Sequence, residues 1–140
     1  MLDSIKKFFH ADVFARSLGI EIEEAKDGVA VCSMKKRDDL LNANGVIQGG
    51  ALYTLGDFTF AVGAASTGKL CVTSNLSMSY LRPAKGDYFR AIATPVHLGR
   101  TLYTYDVVVL DGDKTVAKLM ITGCVLGNNP AISRTNEERN

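Results

Sequence analysis

A long stretch with almost no charge, residues 40–68, most constrains what this chain can fold into. Asp57 is the only charged residue in it, and charged side chains return immediately on both sides. Its second part reads as one helix of roughly four turns, whose apolar residues lie on every side, which predicts burial on every side. The run is too short and too interrupted to be a membrane span. The rest of the chain must therefore cover one central helix, predicted at residues 49–66.

Asp57 is accordingly predicted to be a carboxylate in the middle of a buried helix. Such a group is costly unless it is paired, hydrogen-bonded or protonated. On burial alone, a purely structural carboxyl, which caps a loop or meets an arginine, accounts for it about as well as a functional one.

The flanking segments predict an α+β fold with an antiparallel sheet. A helix is expected at residues 3–18, followed by a β-hairpin that turns at Lys26-Asp27-Gly28. After the central helix, four strands form a meander joined by short polar turns. They are predicted at residues 70–82, 88–98, 101–110 and 114–126, and Pro95 implies an edge or a bulge in the second of them.

Strict alternation is expected in the first strand of this meander. Val72, Ser74, Leu76, Met78 and Tyr80 should point one way, and Thr73, Asn75, Ser77 and Ser79 the other. Together the segments predict one domain at residues 1–127, with its sheet wrapped around the central helix. Residues 128–140 are polar and are expected to form a loose tail.

Composition excludes several classes of function. The chain is 46% hydrophobic and its formal net charge is only +1, which argues against a nucleic-acid binder. Its three cysteines are widely spaced, without a CxxC or Cys/His pattern, so neither a metal site nor a disulfide framework is expected. The N-terminus lacks the apolar segment of a signal peptide, which predicts a cytoplasmic protein without membrane association.

A helix that is apolar all round needs more cover than one curved sheet provides. The remaining surface should be covered by another copy of the chain, so a homodimer is expected.

Gly49 and Gly50, where the helix begins, are candidates for an oxyanion hole. The first N–H groups of a helix have no partner within it, and glycine lets a ligand approach the backbone closely. A carbonyl oxygen that gains negative charge would be stabilised there. Alternatively, the glycines serve only close packing between helix and sheet.

The spacing of Gly49 and Asp57 adds a constraint. Eight residues of helix place them about 12 Å apart along its axis, so they cannot reach one carbonyl from the same helix. Two helices that run antiparallel across a dimer axis would bring Asp57 of one chain to Gly49 of the other. The expected dimer would then also form the site.

The segment 42–57, read as Asn42-Ala43-Asn44-Gly45-Val46-Ile47-Gln48-Gly49-Gly50 followed by Leu55-Gly56-Asp57, resembles the N-x-x-G-x-x-H-G-G-x-x-x-x-L-x-D signature of hotdog-fold acyl-CoA thioesterases. The most similar type is the phenylacetate-degradation, or PaaI-like, group. Residues 75–84 resemble the strand of that family that leads into R-P-A, and Gly99-Arg100-Thr101 resembles its G-R-T turn. The resemblance covers roughly residues 12–126.

The resemblance implies a hotdog fold, a homodimer that often pairs into a homotetramer, and hydrolysis of acyl-CoA thioesters, with coenzyme A as part of the substrate and no separate cofactor. Asp57 would be the nucleophile or general base, and the N–H of Gly49 from the neighbouring chain would hold the oxyanion. Asn42 would position the thioester or the water, and Thr73 matches a supporting hydroxyl. Contacts to coenzyme A are implied for Asn75, Tyr80, Arg82, Gly99, Arg100 and Thr101.

Gln48 departs from the family pattern, which usually has histidine at this position. Glutamine can donate a hydrogen bond to a carbonyl but cannot hold a proton near neutral pH. Two further functions therefore stay open beside hydrolysis: a non-catalytic module that binds acyl-CoA, and a hydratase or dehydratase. The last would need a histidine base near the motif, and neither His10 nor His97 is close to it in sequence.

Overall fold

The computed structural model describes residues 1–132 and consists of one antiparallel sheet wrapped around a central helix. The six strands lie in the order β1-β2-β4-β5-β6-β3, which confirms the predicted α+β arrangement. The elements are α1 (Leu2–Phe9), α2 (Val13–Ser17), β1 (Glu21–Lys26), β2 (Val29–Lys35), a 3-10 turn (Asp38–Leu40), α3 (Gly49–Ala65), β3 (Lys69–Tyr80), β4 (Tyr88–Leu98), β5 (Leu102–Asp111) and β6 (Lys114–Asn128).

The prediction of one helix at residues 3–18 is wrong, because two short helices occupy this segment. The carboxylate of Asp12 accepts a hydrogen bond from the N–H of Ala15 at 3.1 Å and so caps a new helix start. The chain ends α1 before this cap and begins α2 after it. Residue 128, the first residue of the predicted tail, is the last residue of β6, and residues 133–140 lie outside the described residues.

Small residues let α3 pack closely on the sheet. A Cβ atom at Gly63 would lie 2.7 Å from the carbonyl oxygen of Gly28, in the β1–β2 turn. That carbonyl also accepts a hydrogen bond from the buried Tyr105 hydroxyl at 2.6 Å, while the N–H of Gly28 donates to the Ser66 hydroxyl at 2.8 Å. The end of the central helix is thus fixed to the hairpin by direct contact.

We expect Gly63→Ala to destabilise the fold by about 1–3 kcal/mol, because the added methyl meets backbone that cannot turn aside. Gly56→Ala is the matched control. A Cβ there would lie 2.8 Å from the end of the Leu119 side chain, which can change rotamer, and alanine favours helix by about 1 kcal/mol. Urea unfolding of both variants tests this; equal midpoints would contradict it.

One side of α3 is not covered by the sheet. Tyr53 is 42% exposed, and Asp57 and Ala61, one and two turns further along the same side, are half-buried. One curved sheet thus covers only part of the helix, as expected, and the burial predicted for Asp57 is not reached within the single chain. The sheet covers the opposite side of the helix, where Leu55, Thr59 and Val62 are fully buried.

Strand β3 forms one edge of the sheet, where its only partner among residues 1–132 is β6, and it carries two irregularities in register. One of them lies between Thr73 and Asn75 and makes Ser74 the extra residue of a bulge. The strict alternation predicted for this strand is therefore wrong: Thr73 and Tyr80, seven residues apart, both contact α3. Pro95 in β4 likewise lies at a register shift, which confirms a bulge there.

None of the helices within residues 1–132 has the length and hydropathy that a bilayer crossing requires.

Candidate active site

The carboxylate of Asp57 is held on the open side of α3 by a side chain from β3. The hydroxyl of Thr73 donates a hydrogen bond to Oδ1 of Asp57 at 2.7 Å. The Ser74 bulge, which is anchored by a hydrogen bond from its hydroxyl to the Thr122 carbonyl, turns Thr73 toward the helix. One carboxylate oxygen is thereby fixed, and the second has no hydrogen-bond partner within the described residues. We call Asp57 and Thr73 the carboxylate half-site.

The first turn of α3 borders a cleft of about 570 Å³. Asn42, Gly49, Tyr80 and Arg82, all predicted site residues, line this cleft. The N–H of Gly49 donates to no acceptor within the described residues, which fits a first-turn N–H that is free for a ligand. We call Asn42, Gln48, Gly49, Tyr80 and Arg82 the helix-start half-site.

Tyr80 fixes the position of Gly49. Its hydroxyl donates to the Gly49 carbonyl at 2.8 Å, and a Cβ atom on Gly49 would lie 3.1 Å from the tyrosine ring and hydroxyl. Desolvation and the nearby Tyr53 raise the pKa of the Tyr80 phenol, so the group stays a hydrogen-bond donor at neutral pH. A side chain at Gly49 would therefore press against this ring.

Gln48 is the N-cap of α3. Its side-chain oxygen accepts a hydrogen bond from the N–H of Gly50, and its own N–H donates to the Leu40 carbonyl at 2.8 Å. The side chain is exposed, and its amide NH₂ donates to no acceptor within the described residues. Glutamine therefore satisfies one N–H at the helix start and leaves two amide hydrogens available to a ligand.

Asn42 shapes the loop that leads into α3. Its side-chain oxygen accepts from the N–H groups of Asn44, at 2.9 Å, and Val46, at 3.3 Å. Gly45 adopts a left-handed φ of +76° in this loop, and Leu41 pairs with Ile47 across it. Asn42 thus has a structural function in the loop, while its NH₂ group remains available in the cleft.

The structure does not bring the two half-sites together within one chain. Tyr80 lies opposite Ala117 on β6, whereas the Gly99–Thr101 turn lies beside the other end of β6, where the Thr101 carbonyl accepts from the N–H of Val125 at 2.9 Å. Eight residues of strand separate these two ends by about 26 Å. Asn75, Gly99, Arg100 and Thr101 therefore lie toward the carboxylate half-site, and Tyr80 and Arg82 belong to the helix-start half-site.

Several residues of the helix-start cleft were not predicted: Asn44, Val46, Ile47, Leu52, Leu81, Pro83 and Ala84. Three of them, Ile47, Leu81 and Pro83, are immediate neighbours of residues that were predicted. A signal for the last three exists in the sequence, because they flank Arg82 in the segment that ends the first strand of the meander.

A family model and several known proteins match this chain. The family model described as the thioesterase superfamily matches residues 44–118. The acyl-coenzyme A thioesterase PaaI of Escherichia coli is 35% identical over 111 residues, 78% of this chain and 79% of the relative. The solved structure of E. coli PaaI, from the phenylacetic acid degradation operon, matches with a TM-score of 0.86 and 30% identity over 91% of this chain and 94% of that one.

A hypothetical thioesterase from Streptococcus pneumoniae, solved with coenzyme A, matches with a TM-score of 0.81 and 34% identity over 88% of this chain and 98% of that one. The hotdog fold predicted from the motif is thereby confirmed, and so is the resemblance to PaaI-like proteins. The chain belongs to the thioesterase superfamily.

Proposed function

We propose that this protein hydrolyses acyl-CoA thioesters to the free acid and coenzyme A. The observation that carries the proposal is the Asp57 carboxylate, which Thr73 holds at 2.7 Å on the open side of an otherwise apolar helix. A carboxylate with one oxygen fixed and one free is suited to attack a thioester carbonyl, or to activate a water molecule that does so. The names of the relatives, acyl-coenzyme A thioesterases, support the same reaction.

In this proposal the helix-start half-site stabilises the negative charge that develops on the carbonyl oxygen. The N–H of Gly49 and the amide of Gln48 are the donors, and Asn42 positions the thioester or the water. Coenzyme A enters as part of the substrate, and the carboxylate and the N–H groups supply the chemistry without a separate cofactor.

Each complete site would form between two chains. Asp57 and Gly49 are about 12 Å apart along one helix, so a second chain must supply the missing half-site. The twelve-residue edge strand β3 offers unpaired backbone groups for this association. If two β3 strands pair antiparallel around an axis near Leu76 and Ser77, Thr73 of one chain lies near Tyr80 of the other. A further pairing of dimers into a tetramer is compatible with this arrangement.

Coenzyme A carries phosphates, and both half-sites offer an arginine for them. Arg82 lines the helix-start cleft, and the exposed Arg100 lies in the β4–β5 turn on the other side. Guanidinium groups bind phosphate by charge-assisted hydrogen bonds. Asn75, Tyr80, Gly99 and Thr101 are the other residues that we propose to contact the coenzyme A part.

Gln48 favours the alternative, a non-catalytic module that binds acyl-CoA, because its side-chain oxygen already accepts a hydrogen bond from the N–H of Gly50. One assay separates the two functions. The purified protein is incubated with a panel of acyl-CoA thioesters while release of free thiol is followed, with Gln48→His in parallel. Release establishes hydrolysis, and a faster Gln48→His shows that the natural glutamine limits the rate. Tight acyl-CoA binding without release would establish the binding module.

We expect Thr73→Val to lower kcat by about ten- to a hundredfold, because a hydrogen bond to a charged group contributes about 1.5–3 kcal/mol. Valine keeps the shape and the strand propensity of threonine. Thr73→Ser, which keeps the hydroxyl, is the matched control and should retain most of the rate. Steady-state kinetics on the best thioester measure both; a Thr73→Val variant with unchanged kcat would remove this hydrogen bond from the mechanism.

A further inference from the structure

A second cleft, of about 300 Å³, adjoins the first turn of α3. Its lining includes Phe14, Leu18, Leu41, Gln48, Gly50 and Ala51. The helix-start cleft touches the same turn at Gly49 and Leu52 instead. The two clefts therefore flank the turn at which we propose that the thioester carbonyl binds.

The two clefts differ in chemistry. The helix-start cleft contains, among apolar side chains, Arg82 and two asparagines, whose guanidinium and amide groups suit the phosphates of coenzyme A. In the second cleft, Phe14, Leu18, Leu40, Leu41 and Ala51 provide an apolar lining. Among the described residues that line it, only Asp39 is charged, and its carboxylate is already paired with Arg37 at 3.0 Å.

Phe14 forms a wall of this cleft. Core packing does not explain a phenylalanine at this position, since the side chain is 64% exposed on a helix of only five residues. Helix α2 is held in place from both ends. Asp12 caps its start, and the Arg37 guanidinium donates to the Ser17 carbonyl at 2.8 Å. A large apolar side chain is thus presented to solvent on a fixed support, beside the first turn of α3.

We propose that the second cleft is the acyl subsite, and that Phe14 on α2 is a residue that determines selectivity for apolar acyl groups, alkyl or aryl. This inference rests on the proposed function. A thioester has coenzyme A on one side of its carbonyl and the acyl group on the other. With the carbonyl at Gly49 and Gln48, coenzyme A occupies the cleft that contains Arg82, and the acyl group occupies the second cleft. A volume of about 300 Å³ lies at the small end of ligand pockets and suits an acyl group rather than the whole substrate.

The test uses S-alkyl-CoA thioethers, which cannot be hydrolysed, with binding measured by calorimetry on the full chain. For the wild type, affinity should rise about fourfold for each added methylene until the cleft is filled. Phe14→Ser should weaken binding of the octyl thioether by about ten- to a hundredfold, with little change for the methyl thioether. Phe14→Leu should retain most of the octyl affinity. Val13→Ser is the matched control, because Val13 is 63% exposed on the same helix and does not line the cleft.

The outcomes distinguish this inference from the proposed function. If the wild type hydrolyses acyl-CoA but Phe14→Ser keeps the full dependence on alkyl length, the subsite is wrong and the function stands. If no thioester is hydrolysed but the thioethers bind with the expected pattern, the subsite stands and hydrolysis fails. Equal losses for the methyl and octyl thioethers in Phe14→Ser would also overturn the subsite.

Discussion

Replacing Asp57 with asparagine should lower kcat for acyl-CoA hydrolysis by about 10²–10⁴-fold, the range that general acid–base catalysis contributes. Asparagine keeps an oxygen that can accept the 2.7 Å hydrogen bond from Thr73, so the side chain can stay in place. It cannot attack the carbonyl or take a proton from water. Binding of coenzyme A should change little, because the proposed contacts lie on other residues.

The control for Asp57→Asn is stability, measured by urea unfolding. Asp57 is half-buried and the only hydrogen bond of its side chain within the described residues is the one from Thr73, so the variant should unfold near the wild-type midpoint. Full turnover in a folded Asp57→Asn variant would exclude the carboxylate from the mechanism and favour a site that needs only the backbone donors.

Replacing Gly49 with valine should lower kcat by about 10²–10³-fold, the usual cost of losing one oxyanion donor. A Cβ alone would lie 3.1 Å from the Tyr80 ring, and the branched side chain adds atoms in the same space. The Tyr80 hydroxyl donates a hydrogen bond to the Gly49 carbonyl, so the ring cannot move away without breaking that hydrogen bond. Either the first turn of α3 shifts and moves the Gly49 N–H with it, or the valine side chain fills the cleft.

Tyr80→Ala in the Gly49→Val background separates the two causes. Removal of the ring leaves room for valine, so recovery of kcat would show that the first turn had been displaced. No recovery, while the Tyr80→Ala single variant stays active, would show that the valine side chain itself blocks the thioester. A Gly49→Val single variant with wild-type kcat would remove the Gly49 N–H from the proposed oxyanion hole.

Local patterns in the sequence predict much of this fold. The stretch with a single charged residue and Gly49-Gly50 predict the central helix to within one residue at its end. Lys26-Asp27-Gly28 predicts the hairpin, and Asp27 and Gly28 do adopt the left-handed φ values of +53° and +89° that such a two-residue turn requires. These features depend on a few adjacent residues, which is why a single sequence suffices to predict them.

Other features depend on contacts that periodicity does not encode. Phe8, Phe9, Val13 and Phe14 keep apolar spacing across the break between α1 and α2, so the pattern alone does not reveal the cap at Asp12. The Ser74 bulge interrupts a strand whose sequence alternates without a break, and it is the bulge that directs Thr73 to Asp57. The exposure of Asp57 depends on which side of α3 the sheet covers.

The aromatic residues near the motif illustrate the same limit. The sequence alone does not tell whether Phe58 and Phe60 line a pocket at the motif. Both are buried, Phe58 edge-on against Phe9 and Phe60 against Tyr105, and neither lines the two clefts beside the first turn of α3. The apolar cleft beside Gln48 is formed instead by Phe14 from α2, more than thirty positions earlier in the chain.

The central claim is that each active site combines Asp57 of one chain with Gly49 of its partner, and complementation tests it most directly. Asp57→Asn and Gly49→Val chains, each inactive alone, are co-expressed with different affinity tags so that mixed dimers form. In a mixed dimer one site receives an intact Asp57 from one chain and an intact Gly49 from the other. Random pairing should then restore about a quarter of wild-type activity. Mixtures no more active than the separate variants, with mixed dimers recovered through both tags, would contradict the shared site.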